Sequence, residues 1–238
     1  MTTTLTTRKS QFALHLTNKV GELSYFLEQI SNICEQSRQR FESKEGQIDG
    51  QGQLLNYQFS AFTALAQTLK DILPVLTDNS VSWGGLAHIR HIDFIKQARN
   101  AITHDGNSII TLWSDGRYYV PCDIYRIDDK GNAQIVRAPT LDIGLICSEF
   151  TFDLSVELLR IIEPLIDQSE FSIPPFGFEF FDQAIMHPAV SAEVRQIYLS
   201  SIAPNRQIPT SSSISNTCDA LEKLKVESTT RIANQTAH

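Results

Sequence analysis

The stretch SQFALHLTNKVGELSYFLEQISNICEQSRQR, residues Ser10–Arg40, decides the fold class. Its apolar positions Phe12, Leu16, Val20, Leu23, Leu27, Ile30 and Cys34 recur every three or four residues, a period that gathers side chains on one face of an α-helix. A polar, glycine-containing segment from Ser43 to Gln53 interrupts the pattern. A second run then carries Leu55, Phe59, Phe62, Leu65, Leu69 and Ile72 on one face as far as Pro74. The two segments predict an antiparallel helix pair.

Downstream, a loop from Thr77 to Gly85 precedes a third predicted helix, Leu86 to His104, with a narrow apolar stripe of Ile92, Ile95, Ala98 and Ile102. Asp105-Gly106-Asn107 is its stop signal, because Gly and Asn accept the left-handed conformation that closes a helix. Residues 108–141 turn to β-branched and aromatic residues separated by Ser114-Asp115-Gly116 and by the turn-rich stretch 128–132, the pattern of a small β-hairpin or meander. A fourth helix, Leu145 to Ile166, presents Phe150, Leu154, Leu158, Ile161 and Leu165 inward. Pro174-Pro175 breaks the chain, and shorter helical pieces follow near Phe178–His187 and Ala189–Ile202. The expected architecture is mainly α, an antiparallel helical bundle with a β insertion, occupying residues 10–202. Residues 1–9 read as a polar arm. Residues 203–238, rich in Ser, Thr, Asn and Gln with a weak helical patch at Asp219–Val226, read as a mobile tail.

At 238 residues the chain can build a proper core without crosslinks. Its cysteines, Cys34, Cys122, Cys147 and Cys218, have no paired spacing, which argues against a zinc site or a disulfide framework and for reduced thiols. With neither a secretory signal nor a long apolar run, a cytoplasmic protein is expected, with no membrane contact. A net charge of −7 and a pI near 5.3 weigh against a general nucleic-acid coating protein. Basic residues nevertheless concentrate locally: His88, Arg90, His91, Lys96, Arg99 and His104 stand against one acid, Asp93.

The end of that run, Arg99-Asn100-Ala101-Ile102-Thr103-His104, resembles the motif of the HEPN ribonucleases: an arginine, a polar neighbour, and a histidine a few positions on near a helix end. The resemblance is close over this motif and looser over the helical order of Ser10 to Ile202. It implies an HEPN-like bundle and a metal-independent endoribonuclease that leaves a cyclic phosphate and a 5′-hydroxyl, with no cofactor. It also implies a composite site in a homodimer and service in toxin–antitoxin or antiphage systems, with a cognate antitoxin or regulator.

The chemistry suits the residue types. Attack of a ribose 2′-hydroxyl on the adjacent phosphate needs a proton carrier near neutral pH, and a histidine's reference pKa of about 6.5 permits it. His104 is the candidate. Charge growing on phosphate oxygens is met by a guanidinium, here Arg99, with Asn100 placed to orient either partner. Lys96, His91, Arg117 and Tyr118 are candidate RNA contacts. Five helical positions separate Arg99 from His104 by roughly 7.5 Å of rise and about 140°, so one helix is expected to make a poor site and two facing copies a good one.

Other clusters have plainer readings beside sharper ones. Glu149, Asp153 and Glu157 form an acidic stripe that reads as a solvated face or as metal-binding carboxylates. His88 and His91 read as a basic solvated or interface face, or as metal ligands or RNA-phosphate contacts. The phenylalanines between Phe171 and Phe181 read as packing over the bundle end or as a base-stacking or dimer surface. Two alternatives to the nuclease therefore stand: a catalytically silent binding or regulatory module, and a helical metal-dependent phosphohydrolase.

Overall fold

In the computed structural model, residues 2–127, 131–171, 176–202 and 213–236 are described. The Pro174-Pro175 break, the 128–130 part of the turn and residues 203–212 lie outside them. The first helix, α1 (Thr2–Glu42), runs straight through the segment expected to be a loose arm. The correction has a cause in Lys9, which is buried and holds Glu170 Oε1 at 2.9 Å and the carboxylate of Asp78, so the N-terminal turns are tied to two later segments. Burial alone would lower the Lys9 ammonium's pKa, but the two acids outweigh it and raise it.

Helix α2 (Gln51–Thr77) packs along α1 with Leu55, Phe59, Phe62, Leu65, Leu69 and Ile72 inward, as the periodicity requires. It ends at Asp78, whose left-handed φ of 56° turns the chain out of the helix. Helix α3 (Ile92–Asp105) lies on α2 and is shorter than expected, because His91 adopts φ 62° at its N-terminus and divides the basic run from the helix. The β region is two separate antiparallel hairpins: β1 (Leu112–Ser114) with β2 (Arg117–Tyr119), and β3 (Ile124–Ile127) with β4 (Ala133–Val136). Gly116, φ +75°, turns the first hairpin against α1; a Cβ there would stand 2.8 Å from Phe41 Cβ and 2.9 Å from Arg38 Cα.

Helix α4 (Ile143–Ile162) starts on an Asp142 side chain that accepts from the Leu145 N–H, a standard N-cap. One face carries Ile146, Phe150, Leu154 and Leu158. The other carries Gly144, Cys147, Ser148, Thr151 and Ser155, all buried. Ring contacts knit the first face to the rest: Phe150 meets Phe62 edge-on at 5.9 Å, and Phe59 stacks on Phe94 of α3 at 6.1 Å.

The largest departure from the sequence reading is α7 (Ser213–Thr236), which occupies most of the expected mobile tail. It packs most heavily on α4, then on α1, and so fills the space between two helices that barely touch each other. Its buried face, Ile214, Thr217, Cys218, Leu221, Leu224 and Ser228, mixes small polar with apolar side chains. Thr217 Oγ1 donates back to Ser213 O at 2.8 Å and lies 2.6 Å from Thr17 Oγ1 of α1, so these hydroxyls enter the core already satisfied. Between α4 and α7 in sequence, α5 (Phe178–Ile185), α6 (Ala192–Ile197) and the turn Tyr198–Ile202 bury no side chain. Phe171 packs in the core as expected, but Phe180, Phe181, Ile197 and Leu199 are exposed. No helix among the described residues is long and apolar enough to cross a membrane.

Candidate active site at the end of helix α3

Amphipathicity puts Ile92, Ile95, Ala98 and Ala101 of α3 in the core, which turns Lys96, Arg99, Asn100 and His104 toward the surface. The helix stops where predicted. Gly106, φ 70°, lets its own N–H and that of Asn107 close onto Ala101 O. Two further residues fix this end, and periodicity names neither. Arg126 of β3 buries its side chain and bonds Asp105 Oδ2 at 2.9 Å, holding that carboxyl below its usual range. Asn56 of α2 grips the connector from both sides, donating to Ile110 O at 2.8 Å and accepting from Ile110 N–H at 3.2 Å.

Within this frame Arg99 Nη1 donates to Asn100 Oδ1 at 3.0 Å and lies 3.3 Å from His104 Nε2. A guanidinium N–H can only donate, so a hydrogen bond here requires the tautomer in which His104 Nε2 presents its lone pair. Arg99 and His104, expected not to share a helix face, nevertheless touch within one copy of α3. The arginine stem is long enough to cross the offset of about 140°.

Arg99 Nε is buried without an acceptor among the described residues, a cost that packing for stability alone would remove. Asp71 of α2 feels the Arg99 charge: burial raises its carboxyl, but Gln67, Lys70 and Arg99 outweigh it and bring it below the usual range. Lys96, half-buried, stands one turn before Asn100 on the same side of the helix. A groove of about 400 Å³ runs between the connector Asn107–Ile109 and the link from Val120 to Tyr125.

The other sequence candidates lie elsewhere. Tyr118 is buried in the core, its hydroxyl donating to Gln51 Oε1 at 2.9 Å and accepting from Gln47 Nε2 at 3.2 Å, so it cannot reach RNA. Its neighbour Arg117 points to the opposite face of β2 and binds Asp142 Oδ2 at 3.0 Å, away from α3.

The basic segment before α3 and the acidic stripe on α4 are two halves of one interface. Arg90 binds Glu149 Oε1 and Asp153 Oδ2, both at 2.8 Å, His91 Nε2 lies 2.7 Å from Glu149 Oε2, and His88 Nε2 is 3.2 Å from Glu157 Oε2. This corrects the solvated-face reading of the stripe and removes His91 from the candidate RNA contacts. Burial raises the Asp153 carboxyl, but the Arg90 side-chain and backbone bonds outweigh it and leave it below its usual range. A cation at Glu149 and Asp153 would have to displace that guanidinium, which disfavours the metal-hydrolase reading. The basic run thus positions α3 and leaves Lys96, Arg99 and His104 as its solvent-facing chemistry. Comparison of the chain with protein-family models, with curated proteins and with solved structures returns no match.

Proposed function

We propose that the chain is a metal-independent endoribonuclease of the HEPN type, with Arg99, Asn100 and His104 as its catalytic group. The observation that carries the reading is the Arg99–His104 contact of 3.3 Å at an exposed helix end, with an imidazole beside a guanidinium. In the proposed reaction His104 Nε2 takes the proton of a ribose 2′-hydroxyl as its oxygen bonds to phosphorus. The phosphorus–5′-oxygen bond breaks, the departing oxygen takes up a proton, and a 2′,3′-cyclic phosphate and a 5′-hydroxyl remain. Arg99 swings its N–H groups from Asn100 and His104 to the phosphate oxygens, where charge accumulates. Lys96 adds charge along the approaching backbone. A homodimer would set two such sites side by side. The restraint such an enzyme needs in its host points to a toxin–antitoxin or antiphage setting with a cognate regulator.

The test is incubation of purified protein with total cellular RNA in EDTA, beside Arg99→Ala and His104→Ala, with end-group analysis. Cleavage by the wild type with cyclic phosphate ends, reduced about 10²- to 10⁴-fold in His104→Ala, is the expected result. Equal cleavage by all three proteins would refute it. No cleavage by any folded protein would favour the silent binding module, and cleavage abolished by EDTA would favour a metal-dependent hydrolase.

A further inference from the structure

The hairpin β3–β4 inverts the usual order of its faces. Its register pairs Tyr125 with Ile135 and Ile127 with Ala133 on one face, and Ile124 with Val136 and Arg126 with Gln134 on the other. The second face lies toward α3, where Arg126 buries its side chain on Asp105 Oδ2 at 2.9 Å and Val136 enters the interior. The first face carries only aromatic and aliphatic side chains, yet Tyr125 is 74%, Ile127 69% and Ile135 45% exposed. An antiparallel pair with one solvated face normally turns its polar residues to water, so an outer face built this way marks a surface made to be covered.

This face is tied to the end of α3. Asp105 follows His104 and Arg126 follows Tyr125, so the Arg126–Asp105 bond keeps the Tyr125 Cα within about 20 Å of the His104 Cα. One groove is lined both by Asn107 and Ser108, just after the α3 cap, and by Asp123, Ile124 and Tyr125 at the start of β3. Continuing the register by one pair sets Asp123 opposite Arg137, and the two form an ion pair. Asp123 accepts from the Ala138 N–H at 2.9 Å and from Arg137, which together hold its carboxyl below its usual range. The Arg137 side chain is 79% exposed, so with one carboxylate beside it the rest of its donor fork is open to solvent. A second copy is a poor fit for this face, because four side chains are few beside the roughly 20–30 residues that a stable protein interface engages on each side. An aromatic and aliphatic surface with a guanidinium at its edge matches a nucleobase and its phosphate instead.

We propose that the outer face of β3–β4 is a stacking platform for an unpaired base of single-stranded RNA. Tyr125 lies under the base, Ile127 and Ile135 widen the platform, and Arg137 meets a backbone phosphate. The proposal rests on the nuclease reading of α3 and names its substrate class: a single-stranded segment whose base, a few nucleotides from the bond broken at His104, turns out onto the hairpin. Bases within a duplex are covered on both sides by their stacked neighbours and cannot lie on Tyr125, so paired RNA is excluded. Tyr125 thereby fills the part that the buried Tyr118 cannot.

Fluorescence anisotropy of the full chain with a short labelled 2′-O-methyl oligoribonucleotide, which has no 2′-hydroxyl to react, measures binding apart from cleavage. Tyr125→Ser should weaken the single strand by about 5- to 150-fold, while Tyr125→Phe, which keeps the ring, stays within about twofold. The same strand annealed to its complement should bind at least about tenfold more weakly. Circular dichroism checks that the variants fold, and Ile127→Ser is a second variant on the same face. Unaltered binding by Tyr125→Ser, equal binding of the duplex, or no binding of the single strand up to about 100 μM would each overturn the platform. So would a wild-type dimer in sedimentation that Tyr125→Ser and Ile127→Ser dissociate, since the face would then belong to a second copy. The nuclease reading is judged separately. Cleavage lost in His104→Ala beside unchanged binding by Tyr125→Ser would remove the platform and keep the nuclease, whereas Tyr125-dependent binding beside cleavage untouched by Arg99→Ala and His104→Ala would keep the platform and remove the nuclease.

Discussion

Leu221→Ala measures whether α7 is a core element. Leu221 is fully buried on the face of α7 that packs between α1 and α4. Removing its three outer carbons loses roughly 2.4 kcal/mol at about 0.8 kcal/mol per methylene-sized group. The remaining cavity adds to that, since helices on either side cannot collapse fully, so about 3–4 kcal/mol is expected within the range known for buried Leu→Ala changes. For a chain of this size that corresponds to a melting temperature lower by about 6 to 16 °C. The assay is urea unfolding followed by circular dichroism, with an unchanged m-value. Lys223→Ala, two residues on with its side chain 78% exposed, is the control and should stay within about 0.5 kcal/mol. If Leu221→Ala also moved stability by less than about 0.5 kcal/mol, α7 would not be docked between α1 and α4.

Three further outcomes follow from the same geometry. Gly116→Ala, forced into positive φ against Phe41 and Arg38, should cost roughly 1–3 kcal/mol and loosen the β1–β2 hairpin, read by urea unfolding and by faster amide exchange at Trp113 and Tyr118. The Asp153 carboxyl is depressed in the folded state, so its contribution is present above the unfolded value of about 4 and disappears as pH falls through the lower folded value. Arg90→Met should therefore lose about 1 kcal/mol at neutral pH, given a guanidinium 43% exposed and screened by solvent, and its urea midpoint should fall less steeply than the wild type's below about pH 4; parallel pH profiles would show that the pair contributes nothing. Arg99→Lys keeps the charge but loses the planar fork, and RNA cleavage should fall at least tenfold without loss of stability; full activity would mean that Arg99 acts only as a point charge.

The helices whose inward faces are built from Leu, Ile and Phe were legible from spacing alone, because burying such side chains every three or four residues has no other economical solution. Their ends were less so. α3 begins six residues later than the pattern suggested, since Arg90 and His91 are claimed by Glu149 and Asp153, acids about sixty positions away. The site followed the same division. That His104 closes a helix was readable from Asp105-Gly106-Asn107, but the approach of Arg99 to His104 depends on a rotamer that a helical wheel ignores. Arg126, Asn56 and Asp71 had no local signal at all, because their role is to meet groups brought in by other elements.

What the sequence determined by itself is therefore the mainly helical class, the β-rich interlude and the short segment in which an arginine, an asparagine and a histidine end a helix. These are properties of neighbours within a turn or two, where periodicity and the left-handed preference of glycine act directly. Only the tertiary structure decided that residues 213–236 are a central helix. Its face is rich in Ser and Thr and reads as polar in isolation, yet buries once Thr217 can bond to Ser213 and Thr17 while facing the small residues of α4. Hydrophobicity measured along the chain cannot register this, because the Thr17 and Thr217 hydroxyls, two hundred positions apart, meet only in the folded bundle.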